Sequence, residues 1–202
     1  MLHLVIASRN RHKVRELKAL LKIRGIHWHS LAEFPRVAVA EETGRTFDAN
    51  AVTKARAVAR ATGHLAVADD SGLEVEALGG LPGVRSARFA GGHGDDQANN
   101  RKLLRALNGH PASQRRARYR CSLALASPTR LLALARGTWA GRIAFEAAGH
   151  AGFGYDPIFL VPRWRKTVGQ LPGRVKQRWS HRAVAARRLR PALRRLVSAG
   201  SR

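Results

Sequence analysis

Two pairs of adjacent carboxylates stand out in a chain poor in acids: Asp69-Asp70, at the end of the apolar run Leu65 to Ala68, and Glu41-Glu42. Open α/β sheets place ligand residues where a strand ends, as the Asp69-Asp70-Ser71-Gly72 segment does. Neighbouring carboxylates repel one another, so structure alone gives little reason to choose them. Carboxylate oxygens that leave room for water suit Mg²⁺ bridging to substrate phosphates. The competing reading is a turn cap at Asp70 and a solvated pair at Glu41-Glu42. Asp70 is assigned metal or catalytic duty; for the glutamates both readings stay open.

Three further groupings could carry chemistry. Ser8-Arg9-Asn10-Arg11-His12-Lys13 lies between an apolar run and a helical pattern. Unsatisfied N–H groups at a helix start favour anions, and Lys13 adds a point charge, which makes a phosphate cradle. It is no Walker A loop, because GxxxxGK is absent. The alternative is a solvent-exposed lysine. Gly149 to Pro157 clusters glycines around Phe153, Gly154, Tyr155 and Asp156. Glycine lets backbone approach a ligand closely, and Phe153 offers a stacking face; read alone, the segment is an ordinary turn. Lys176, with Ser180-His181-Arg182 at a helix start, groups a cation, an imidazole and a donor fork. Arginine suits carbonyl or phosphate acceptors, and a capped surface helix competes with that reading.

The elements that must hold these residues alternate in type. Residues 2–7 read as a buried strand, 11–24 as a helix ended by Gly25, and 26–31 as a second strand. Thr46 caps a helix striped by Phe47, Ala51, Ala55, Val58 and Ala59 and ending near Gly63. Residues 65–69 form a compact strand that runs straight into Asp70-Ser71-Gly72. Residues 95–107 read as a helix, 117–127 as a strand, 131–145 as two strands and 157–162 as another. A basic helix begins at Ser180, and Pro191 is expected to kink or restart it. An α/β sheet core with an antiparallel part from about 115 to 162 follows, in a single domain over 1–202.

Composition narrows the class. The 202 residues carry 37 Lys+Arg against 13 Asp+Glu, a formal net charge of +24. Only Glu146 and Asp156 are acidic beyond residue 96, so the excess sits in the second half. Such a field attracts polyanions, yet net charge speaks to solubility and steering before function. No specific nucleic-acid partner is expected. No apolar run reaches the length of about 18 residues that spans a membrane. The apolar start is too short for a signal peptide, and Cys121 is the only cysteine. A reducing, cytoplasmic home is the simplest reading.

In combination the motifs resemble a known family. They are Ser8-x-Asn10-x-x-Lys13; Glu41-Glu42-Thr43-Gly44-x-Thr46-Phe47-x-x-Asn50-Ala51-x-x-Lys54-Ala55; and Ala68-Asp69-Asp70-Ser71-Gly72-Leu73. With them go Leu78-Gly79-Gly80-x-Pro82-Gly83-Val84-x-Ser86-Ala87-Arg88, Gly152 to Phe159, and Ser180-His181-Arg182. Their order and spacing resemble the noncanonical purine nucleoside triphosphate pyrophosphatases, the dITP/XTP or inosine triphosphate pyrophosphatases, over about residues 3–197.

The resemblance implies a two-lobed α/β fold, with a long central mixed sheet flanked by helices and a cleft between the lobes, in a homodimer. It implies Mg²⁺-dependent hydrolysis between the α- and β-phosphates. By motif position, Ser8, Asn10 and Lys13 match the triphosphate loop, with Lys54 nearby. Asp70 matches the general base and a metal carboxylate, Ser71 a substrate contact, and Glu41 the second metal carboxylate, with Glu42 as the alternative. Phe153, Gly154, Tyr155, Asp156, Lys176, His181 and Arg182 match the base pocket. Donors at His181 and Arg182 would favour a 6-keto purine over a 6-amino one. The alternatives are a related pyrophosphatase acting on other modified nucleotides, and a basic nucleic-acid-binding protein without catalysis.

Overall fold

The computed structural model describes residues 1–38, 40–92 and 94–199; the last three residues of the expected domain lie outside them. The fold is α/β, with a seven-stranded mixed sheet flanked by helices. The strands are β1 (Leu2–Ile6), β2 (Ile26–Ser30), β3 (Leu65–Val75), β4 (Arg116–Ala126), β5 (Leu131–Ile143), β6 (Phe159–Val161) and β7 (Lys166–Thr167). Their order across the sheet is β2-β1-β3-β4-β5-β6-β7. β1 runs parallel to β2 and β3, and β6 runs antiparallel to β5 and β7. The helices are α1 (Arg11–Leu20), α2 (Phe47–Thr62), α3 (Asp96–Ala106), α4 (Gly173–Trp179) and α5 (His181–Ala199). Among the described residues no helix is long and apolar enough to cross a membrane.

The chain divides into two compact units, and the division falls within β3, β4 and β5. The first comprises residues 1–70, 121–137 and 182–202. Here the period-two alternation of β1 and β3 sends successive side chains to opposite faces. Leu4, Ile6 and Val67 pack with Leu17 of α1 and Ala185, Leu189 and Leu193 of α5. Val5, Ala66 and Ala68 pack with Ala51, Ala55, Val58 and Ala59 of α2. Thr46 caps α2 by accepting from Ala49 N, and Gly63 ends it in the left-handed region. The second unit comprises residues 71–120 and 138–181. Its core joins Leu73, Leu103, Tyr119, Trp139, Ile143, Tyr155 and Phe159.

Four sequence expectations change. β3 does not end at Asp69; it continues through Asp70, Ser71 and Gly72 to Val75. Residues 131–143 form one strand rather than two. Gly141 sits mid-strand because a β-carbon there would lie 2.6 Å from the Leu160 carbonyl oxygen and the Phe159 ring. α5 passes through Pro191 without restarting. Proline removes one ladder hydrogen bond, but Leu189 and Leu193, both fully buried, pin the helix on either side of it. Finally, residues 173–179, for which the sequence pattern predicts no element, form α4.

Candidate functional site

The first unit places Asp69 and Asp70 on opposite faces of β3, so their adjacency is no repulsion to be relieved. Asp70 shares the α2 face with Ala66 and Ala68. Lys54, from the middle of α2, directs its ammonium to Asp70 Oδ1 at 2.9 Å, Glu42 Oε1 at 2.7 Å and the Asp69 carbonyl oxygen at 2.8 Å. An ammonium has three donors, and each finds a protein oxygen here. Asn50, one turn earlier, donates Nδ2–H to Asp70 Oδ2 at 3.1 Å and accepts from Gly44 N at 2.8 Å. The result is a carboxylate pair, Asp70 and Glu42, bracketed by one buried lysine. Glu42 occupies this place and Glu41 is exposed, which favours the alternative of the two glutamates.

Electrostatics separate the carboxyls. Burial pushes Asp70 up; Lys54 and Lys13 oppose this, Glu42 adds to it, and the outcome is about 6. Burial also pushes Glu42 up, but the Lys54 ammonium overrides it and holds that carboxyl at about 2. Burial would lower the Lys54 pKa, yet Asp70 and Glu42 together raise it. Asp70 is thus poised to exchange a proton near neutrality, while Glu42 stays ionised. The side-chain amide of Asn50 should report this. In the metal-free protein its ¹⁵N and ¹H shifts are expected to titrate with a midpoint near pH 6 and to lose that midpoint in Asp70→Asn. An Asn50 amide that is flat between pH 4 and 8 would refute the assignment.

Asp69 points to the α1 and α5 face. It is fully buried, with Lys13 Nζ 2.8 Å from Oδ1 and Arg182 Nε 2.8 Å from Oδ2. Burial raises its pKa, but Arg182 and Lys13 outweigh burial and hold it well below the usual carboxylate range. Arg182 is itself 1% exposed and also reaches Glu16 Oε2 from Nη1 at 2.5 Å. The guanidinium is thereby held in two ion pairs inside the first unit. Cys121 Sγ donates to Asp69 Oδ2 at 3.2 Å.

The turn before α1 is largely self-organised. Asn10 Oδ1 accepts from His12 N at 3.0 Å and Lys13 N at 3.1 Å, and Ser8 Oγ accepts from Asn10 N at 3.2 Å. Asn10 is the N-cap, so it shapes the first turn and aims Lys13.

In the second unit Asp156 organises the glycine-rich turn. Oδ2 accepts from Phe153 N at 2.9 Å and from Lys176 Nζ at 2.5 Å, and Oδ1 accepts from the Tyr119 hydroxyl at 3.1 Å. A β-carbon on Gly152, whose φ is +86°, would lie 2.0 Å from Asp156 Oδ2, so the turn demands glycine. Lys176 Nζ stands 4.1 Å over the Phe153 ring, a cation–π contact. His181 stacks on Tyr119, centroids 4.6 Å apart and planes at 14°. Gly154 N donates to Asp96 Oδ2 at 2.6 Å and its carbonyl accepts from Asn100 at 3.1 Å. Tyr155 donates to the Ser86 carbonyl at 2.8 Å.

The structure therefore brings Lys13 and Arg182 together around Asp69, and Lys54 together with Asp70. It groups Phe153, Asp156, Lys176 and His181 in the second unit. Ser71 lies in β3, partly buried. Sequence reasoning missed Asn50, Asp96, Asn100 and Tyr119 as site-shaping residues. The motif Thr46-Phe47-x-x-Asn50 contained one of them: an asparagine on the apolar stripe of α2 is a signal in itself.

Comparison with known proteins identifies the family. The Ham1 family model matches residues 4–192. A dITP/XTP pyrophosphatase of Desulforamulus reducens is 49% identical over 193 residues, 96% of each chain. A dITP/XTP pyrophosphatase of Geobacillus kaustophilus is 48% identical, over 94% of this chain and 93% of that one. Among solved structures, a HAM1 protein from Coxiella burnetii superposes with a TM-score of 0.88 at 41% identity, over 96% of this chain and all of that one. The chain belongs to the Ham1 family.

Proposed function

We propose that this chain is a nucleoside triphosphate pyrophosphatase. It hydrolyses noncanonical purine nucleoside triphosphates (dITP, ITP and XTP) to the monophosphate and pyrophosphate, clearing them from the nucleotide pool. The observation that carries the reading is the Asp70–Lys54–Glu42 cluster, with Asp70 held near pH 6. A water attacks the α-phosphorus, the Pα–O–Pβ bridge bond breaks, and pyrophosphate leaves. Asp70, with a pKa matched to neutral pH, accepts the proton of the attacking water. Lys54, saturated by protein oxygens, positions Asp70 and keeps Glu42 charged. Lys13 supplies positive charge to the leaving pyrophosphate.

The donor set suits Mg²⁺. Asp70 and Glu42 offer hard carboxylate oxygens, and two such side chains leave most of an octahedral sphere to water and phosphate, as Mg²⁺ prefers. Bound there, Mg²⁺ would neutralise charge on the phosphates. Phe153 supplies a stacking face for the base. Asp156, Tyr155, Gly154, Lys176 and His181 shape its surroundings. A homodimer in the cytoplasm completes the proposal, tested by light scattering and by fractionation.

A substrate panel with pyrophosphate readout tests the whole reading. Turnover of ITP, dITP and XTP well above that of ATP and GTP supports it. Preference for modified pyrimidines would move the chain to another substrate class. Salt-sensitive DNA binding without turnover would make it a polyanion-binding protein.

Lys13→Ala should weaken triphosphate binding far more than monophosphate binding, because the product lacks the phosphates that Lys13 is proposed to face. A charge-assisted bond is worth roughly 1.5–3 kcal/mol, about 10- to 150-fold in Kd. Calorimetry with IMP and with a non-hydrolysable ITP analogue checks it; equal weakening of both would remove Lys13 from the cradle.

A further inference from the structure

Four histidines, none of them given a role above, meet on the parallel strands. The register pairs His3 of β1 with His27 of β2. It pairs Leu4 with Leu65, which brings His64, the residue before β3, alongside His3. His29, two residues beyond His27, projects to the same face. Ring centroids confirm the grouping: His3–His27 at 5.3 Å, His3–His29 at 5.1 Å, His27–His29 at 4.6 Å, His29–His64 at 5.6 Å. His3 and His27 are exposed, and His29 and His64 partly so.

Within the group one pair is aligned nitrogen to nitrogen. His3 Nδ1 lies 2.8 Å from His29 Nε2. The other nitrogen of His29, Nδ1, is 2.8 Å from Glu33 Oε2. Glu33 is fixed in turn, because its Oε1 accepts from Ser30 N at 2.6 Å in a capping box. A carboxylate in that position accepts the Nδ1–H hydrogen bond of His29, which fixes the neutral ring as the tautomer whose Nε2 lone pair faces His3. When His3 carries its proton on Nδ1, the two rings share a hydrogen bond. When His3 shifts its proton to Nε2, two lone pairs face one another. That second arrangement is stable only with a cation between them.

We propose that His3 and His29 form a binding site for a borderline divalent transition metal ion of the Zn²⁺, Ni²⁺ or Cu²⁺ class, separate from the Mg²⁺ proposal. Imidazole nitrogen suits these ions and not Mg²⁺. Metal–nitrogen distances of about 2.0–2.1 Å in tetrahedral geometry need the two nitrogens only about half an ångström further apart than they stand. Among the described residues no three such side chains already stand in ligating positions. Two imidazoles therefore hold the ion, water completes its sphere, and His27 or His64 joins by turning its ring. Glu33 acts through His29 as the carboxylate that orients a ligating histidine and raises its basicity. Each ligand must be neutral, so acid releases the ion.

Calorimetry with Zn²⁺ on the full chain, at pH 7.5 with millimolar Mg²⁺ present, tests this. One equivalent is expected to bind. His3→Ala and His29→Ala should each weaken binding at least tenfold, and Glu33→Gln should weaken it about 10- to 100-fold. Asp70→Asn should leave Zn²⁺ affinity unchanged, so failure of the catalytic reading and failure of this one are distinguishable. Mg²⁺-dependent turnover should be unchanged in His3→Ala. Unaltered Zn²⁺ affinity in the His3→Ala/His29→Ala double variant would overturn the site. Should a variant fold poorly, Cu²⁺ paramagnetic resonance on the wild type decides. Nitrogen superhyperfine splitting supports imidazole ligation, and oxygen-only coordination overturns it.

Discussion

Asp70→Asn should lower kcat by roughly 10²–10⁴-fold, the usual cost of removing a general base, while the protein stays folded. The substitution preserves size and removes one charge. Lys54 can still donate to an amide oxygen at the Oδ1 position, where it now stands 2.9 Å away. Asn50 faces a conflict, because its Nδ2–H would meet the new amide NH₂ at the Oδ2 position. It cannot simply flip, since its Oδ1 holds Gly44 N. Small local shifts are therefore expected around residue 44, without global loss of structure, because Lys54 keeps Glu42 as its counter-ion. Initial rates with ITP, circular dichroism and nucleotide binding by calorimetry make the test. Wild-type turnover in a folded Asp70→Asn protein would remove Asp70 from catalysis. Activity should also fall on the acid side, because only ionised Asp70 can accept a proton; its pKa of about 6 in the metal-free protein is lowered by a bound cation, so the loss in the Mg²⁺-loaded enzyme lies below pH 6.

Which parts of this were legible in the sequence has a physical pattern. β1 and β3 are legible as short continuous apolar runs because both of their faces are buried, and α2 is legible from its 3.6-residue stripe because one face packs on the sheet. Asp70 was readable as chemistry because acids are scarce. Its neighbour was misjudged for a reason the one-dimensional chain hides. Adjacent strand residues diverge to opposite faces, so Asp69 pairs with Lys13 of α1 and Arg182 of α5, and Asp70 with Lys54 of α2. Glu41 and Glu42 could not be told apart, because nothing local decides which one faces Lys54. The strand expected to end at Asp69 reflects the turn-forming residue types that follow it; tertiary pairing overrides them, as it overrides Gly141 and Pro191. Asn10 and Ser8, which the resemblance places in the triphosphate loop, form the cap that shapes the α1 start.

Arg182→Ala should destabilise the protein by about 3–5 kcal/mol, the cost of breaking a buried ion pair from one side. For a chain of this size that corresponds to a fall in Tm of roughly 6–20 °C. The guanidinium neutralises Asp69, which is fully buried, and binds Glu16 as well. Without it Asp69 keeps Lys13 alone, and burial then drives its pKa upward. Asp69 has its folded pKa depressed, so its contribution is present above the unfolded value of about 4. That contribution is lost as pH falls from there toward the folded value. The unfolded state is common to both proteins, so the stability gap between wild type and Arg182→Ala should narrow as pH drops below the raised Asp69 pKa of the variant and on toward the depressed wild-type one. The resemblance gave Arg182 a second duty, reading the 6-keto group of the base. We propose instead that it acts as a strut for the Asp69–Lys13 pair, because its Nε and Nη1 are held by carboxylates in the first unit. The two roles separate in kcat/KM for ITP and ATP, measured well below the variant's Tm. A strut lowers both by a common factor, through Lys13, and leaves their ratio unchanged. A base contact lowers ITP selectively, by roughly 10- to 150-fold for a charged donor. A ratio that collapses while Tm barely moves would return Arg182 to the base pocket.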